Sequence, residues 1–63
     1  MNNYKVKIIY REDFDAPGQL ITEYIITAKE KLQAINLVSK KAKSEITDYS
    51  NIRHNLFYDV MML

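Results

Sequence analysis

The sequence predicts a small α+β domain: a three-stranded, mainly antiparallel sheet with one amphipathic helix packed on one face, in the order β-β-α-β. Three observations predict it: period-two alternation near both ends, a run rich in β-branched residues at 20–28, and helical spacing of apolar residues from 31 to 46.

Residues 4–11, Tyr-Lys-Val-Lys-Ile-Ile-Tyr-Arg, put Tyr4, Val6, Ile8 and Tyr10 on one side of an extended chain and charged residues mostly on the other, which makes a half-buried strand. Residues 12–19 gather three acids with the only Pro and the only Gly, a composition suited to a chain reversal. Leu-Ile-Thr-Glu-Tyr-Ile-Ile-Thr-Ala, 20–28, favours a pleated surface and forms the second strand, antiparallel to the first. Thr27 and Glu30 have capping-box spacing, but the β-branched residues before them carry the strand to about Ala28 and start the helix near Glu30. From Lys31 to about Ile46, Leu32, Ala34, Ile35, Val38, Ala42 and Ile46 form one apolar stripe. Residues 44–51 are polar and turn-favouring, with Tyr49 placed to pin the loop to the core. The alternating run 52–63 is the third strand, whose docking position the pattern leaves open.

At 63 residues there is room for one domain, and such a chain buries only about 60% of its unfolded surface, so its stability is small. An apolar content of 48% sets it apart from disordered chains. Nine Lys and Arg against eight Asp and Glu give a net charge of +1, neither the basic excess of a general phosphate binder nor the acidity of a DNA mimic. No Cys is present, which removes disulfides, thiolate chemistry and Cys-based zinc sites. The start of the chain shows no signal-peptide pattern and no run reaches the ~18 apolar residues of a membrane span, so a soluble, cytoplasmic protein with no membrane partner is expected.

Catalytic and cofactor motifs are not found, and no cofactor or metal is expected. One Gly cannot build a phosphate loop. His54 is the only His and reads as a polar strand residue, not a ligand or base. Glu12, Asp13 and Asp15 lack the ligand count and Gly spacing of a calcium loop and read as a solvated turn. A domain of this size is also expected to have little room for a cleft of the ~300 Å³ that ligands use. The chain therefore reads as non-enzymatic.

The sheet faces carry more. The helix is expected over Tyr4, Val6, Ile8, Tyr10, Tyr24, Ile26, Leu56, Tyr58, Val60 and Met62. The opposite face would then hold Lys5, Lys7, Ile9 and Arg11, then Ile21, Glu23 and Ile25, and Arg53, Asn55, Phe57, Asp59, Met61 and Leu63. One helix covers one face, so Ile9, Ile21, Ile25, Phe57 and Met61 are expected as an exposed apolar cluster and protein interface, for a second copy of the chain or another protein. The division assumes unbroken alternation, because a one-residue slip exchanges the faces. The rival reading is nucleic-acid binding through Lys5, Lys7, Arg11 and Arg53 on the sheet and Lys40 and Lys43 on the helix. Against it, Phe57 is the only ring on that face, Glu23 and Asp59 dilute its charge, and Lys29, Lys40 and Lys43 stand opposite the apolar stripe, where any amphipathic helix keeps its lysines.

Glu-Tyr-Ile-Ile-Thr-Ala-Lys followed by Lys-Leu-Gln-Ala-Ile, about a third of the chain, resembles a strand-to-helix pattern of small phage and mobile-element proteins. No named family and no ligand residue comes with that resemblance. What it implies is a protein that binds and blocks a host protein in the host cytoplasm, as anti-CRISPR and other counter-defence inhibitors do.

Overall fold

A computed structural model describes all 63 residues. Strand β1 (Asn2–Tyr10) and β2 (Gln19–Ala28) form an antiparallel hairpin, helix α1 (Lys31–Glu45) crosses one face, a short helix α2 (Tyr49–Ile52) and a 3-10 turn (Arg53–Asn55) follow, and β3 (Leu56–Met62) closes the sheet. The strand order is β2-β1-β3, with β1 antiparallel to both neighbours. The α+β class and the β-β-α-β sequence of main elements are as expected; β3 docks on the free side of β1.

The core lies between β1 and α1. Val6, Ile8, Val38, Ala28, Ala34 and Ala42 are wholly buried and Tyr4 nearly so. The three alanines let the helix approach the sheet closely, which leaves few large side chains to fill the interior. Tyr24, Ile26, Leu56, Tyr58 and Val60 pack around this centre from the sheet, and Leu37, Ile46 and Tyr49 from the helical layer. Tyr49 does pin its loop. Leu37 takes the place expected of Leu32, which is 63% exposed because it lies ~160° round the helix from Ala34.

Helix α1 begins and ends within a residue of expectation, but Thr27 does not cap it. Thr27 donates its hydroxyl to Asn3 Oδ1 across the sheet (2.7 Å), and Gln33 Oε1 instead accepts the Lys29 N–H (2.6 Å). The expected turn at 44–51 contains the start of α2. Asp48, in the left-handed region at φ 66°, reverses the chain, accepts the backbone N–H groups of Asn51 and Ile52, and takes the Asn51 side-chain amide on its carboxylate.

Two register details correct the expected faces. Ile8 pairs with Thr22 but Ile9 pairs with Leu20, so Ile21 is an extra, unpaired residue in a β-bulge. Leu20 thereby enters the face opposite the helix and Ile21 leaves it. Arg53, His54 and Asn55 lie in the 3-10 turn ahead of β3, not in the strand. Asn55 is held there because its side-chain amide donates to the carbonyls of Arg11 and Glu12 and its own carbonyl accepts the Arg11 N–H.

Candidate protein-docking surface

The sheet face away from α1 is built in three rows across the strands. Ile25, Lys5 and Met61 are in register; next come Glu23, Lys7 and Asp59; then Leu20, Ile9 and Phe57. Apolar side chains thus flank a charged middle row in which the single cation stands between two acids. Ile25 is 68% exposed, Met61 49% and Phe57 41%, while Ile9 is half-buried.

The end of this face near the hairpin loop is organised. Arg11 donates from Nη1 to the Ala16 carbonyl (2.9 Å) and lies over the Phe57 ring, 5.6 Å from its centroid. Gly18 lies flat on Ile9, so that an added Cβ would collide with Ile9 Cγ2. Lys7, Ile9, Arg11, Gly18, Leu20 and Asp59 line a shallow hollow of about 320 Å³. In the loop, Asp13 Oδ1 accepts the Asp15 N–H and closes a turn, and Phe14 stands 87% exposed. Phe14 is an exposed aromatic with no signal in the sequence pattern, because no periodicity marks a residue in a loop.

Of the expected interface residues, Ile9, Ile25, Phe57 and Met61 share this face. Ile21 instead lines a second, open cleft of about 470 Å³ with Thr22, Tyr24, Glu45, Ile46, Thr47 and Ile52, at the rim between β2 and the helices. That volume exceeds the room expected from chain length, since the bulge and α2 hold the rim apart. Tyr24 donates to Glu45 Oε1 there (2.5 Å), and this bond to a carboxylate is the chief reason its phenol is pushed up to about 12. Across the sheet, burial holds the Tyr58 phenol above its usual value, opposed by a hydrogen bond with Ser39 and reinforced by one with Tyr49.

The cations do not form one patch. Lys5, Lys7 and Arg11 belong to the outer face. Lys40 and Lys43 are exposed on α1, on the other side of the sheet, and Arg53 is exposed in the 3-10 turn. Lys7 is bracketed by acids and Arg11 is occupied by Ala16 and Phe57, so Lys5 is the one outer-face cation with apolar residues on both sides.

The chain matches no protein family, no curated protein and no solved structure. No helix is long and apolar enough to cross a membrane.

Proposed function

We propose that the chain is a non-catalytic protein-binding module that docks through the outer face of its sheet. The observation that carries this reading is the pair of apolar rows, Ile25 with Met61 and Leu20–Ile9–Phe57, left uncovered by the only long helix. Fully burying an aliphatic or aromatic side chain contributes ~1.5–3 kcal/mol, and completing the burial of these five, which stand between half-buried and 68% exposed, contributes roughly 3–7 kcal/mol, enough to meet the lower part of the ~4–15 kcal/mol cost of association. The hollow beside Gly18 suits one protruding apolar side chain of a partner, with Lys7, Arg11 and Asp59 at its rim to fix orientation. With the resemblance to small phage proteins, this supports a cytoplasmic inhibitor or modulator that occludes a larger host protein, of the counter-defence kind.

Affinity capture from a lysate of the native cell tests the reading. The double variant Ile25→Glu with Phe57→Asp should lose the proteins that the unaltered chain retains, and Lys40→Glu with Lys43→Glu should keep them. Identical capture by both variants refutes it.

The second reading, binding of single-stranded nucleic acid, rests on Lys5, Lys7 and Arg11 sharing a face with the Phe57 ring. Titration against DNA and RNA decides it: phosphate contacts must weaken steeply with salt, and no binding at low salt removes it.

A further inference from the structure

The two open edges of the sheet differ. At the β2 edge the bulge at Ile21 breaks the ladder, and Ile46, Thr47 and Ile52 gather beside it in the rim cleft. β3 pairs with β1 without interruption over its whole length and contains no Pro, no Lys and one charge, Asp59. It therefore lacks the bulge, proline and lysine with which sheet edges are usually blunted.

The phase of the ladder shows which groups β3 leaves open. Leu63 donates its N–H to Asn3 and Arg11 donates to Asn55, so the odd-numbered residues of this segment face β1. Tyr58, Val60 and Met62 consequently turn their N–H and C=O groups to the free edge. Apolar side chains stand on both sides of it: Phe57 and Met61 outward, Tyr58, Val60 and the 54% exposed Met62 on the helix side. The helix adds to this surface. Ser39 of α1 is a neighbour of Tyr58, and Leu32 lies two turns earlier on the same flank of α1, toward the Met62 end.

We propose that β3 pairs antiparallel with β3 of a second copy of the chain, about a two-fold axis at Val60, to form one six-stranded sheet. The edge is complementary to itself in this register. Tyr58 and Met62 of opposite copies become hydrogen-bonded pairs, Val60 pairs with its own counterpart, Asp59 stands opposite Met61, and Phe57 opposite Leu63. Centring the axis on Asp59 would set two carboxylates face to face, which is unfavourable. The seven-residue β3 is about 23 Å long, and over the 15 Å thickness of the molecule its edge offers roughly 350 Å² per copy, ~700 Å² in total, the size of a weak, transient contact held largely by strand pairing. The dimer is accordingly reversible. Its axis is perpendicular to the sheet, so both outer faces point the same way and Phe57, Met61 and Leu63 of the two copies adjoin, widening the docking surface. The inference stands on the β3 edge, independently of what docks on the face.

Sedimentation equilibrium of the full chain, with two sets of variants, tests it. The unaltered chain should show a monomer–dimer equilibrium with a Kd on the order of 1–100 μM. Met62→Pro removes an open-edge N–H and no bond to β1, so it should weaken the dimer at least about tenfold while keeping the far-UV spectrum. Met62→Lys replaces it if that spectrum is lost. Mixing Asp59→Cys with Met61→Cys chains should give a disulfide between copies, and mixing Glu23→Cys with Ile25→Cys, on the β2 edge, should not. A chain monomeric at ~1 mM overturns the proposal, as does a dimer that neither Met62 variant weakens or a mixture in which the Asp59→Cys and Met61→Cys chains fail to cross-link. Face-dependent capture by a monomeric chain would leave the docking function standing and remove only the dimer.

Discussion

Replacing Ile8 and Ile25 by Ala, one at a time, separates the two faces of the sheet by energy. Ile8 is wholly buried under α1, whereas Ile25, on the opposite face, is 68% exposed. Ile→Ala removes three carbons, worth ~2.4 kcal/mol of transfer at ~0.8 kcal/mol each, and the cavity left under the helix brings the cost at Ile8 to about 3–4 kcal/mol. At Ile25 roughly a third of that transfer applies and no cavity forms, so the loss stays below ~1 kcal/mol. A chain of this length has about 3–9 kcal/mol of stability in all, so Ile8→Ala should lose between a third and all of it, and Ile25→Ala should be almost unchanged. Urea unfolding followed by far-UV circular dichroism, at low micromolar protein with sulfate to keep the weaker variant folded, measures both. A cost above ~2 kcal/mol at Ile25 would refute the bare outer face, and one below ~1 kcal/mol at Ile8 would refute the assigned core.

Tyrosinate absorbance should show Tyr24 ionising near 12, and Glu45→Gln should return it toward its ordinary value of 10.0. Because the folded chain holds that proton more tightly than the unfolded one, the associated stability is fully present below pH 10 and is lost as the pH rises through about 12. Gly18→Ala should cost about 1–3 kcal/mol by pushing Ile9 aside, read from the thermal midpoint, and should disturb the methyl resonances of Ile9 before those of Ile8. Asp48→Val, placing a β-branched residue at φ 66° and removing the bond to Asn51, should destabilise by about 2 kcal/mol. Asp48→Gly should cost less, because it relieves the backbone while losing the same bond.

The strands flanking the core were legible because Tyr4, Val6 and Ile8 alternate with charge, and α1 because its apolar residues hold one period for four turns. The bulge was not legible. Leu20, Ile21, Ile25 and Ile26 are apolar on both phases, so a slipped register leaves no polar residue in a wrong place to reveal it. Unbroken alternation therefore puts Ile21 on the outer face in place of Leu20. Arg53 and His54 continue the alternation of β3 backwards, but the hydrogen bonds of Asn55 to the start of the hairpin loop override the pattern and wind them into a 3-10 turn. The shared outer face of Ile9, Ile25, Phe57 and Met61 follows from counting faces, since one helix cannot cover two. Its division into two apolar rows around Lys7 needed the actual pairing.

A photo-reactive amino acid placed at Ile25, and in a control chain at Asn36 on the exposed back of α1, tests the docking face most directly. Irradiation in the native cell should give a discrete protein adduct from position 25 and none from position 36. No adduct at 25, or equal adducts at both, would contradict a function carried by the sheet.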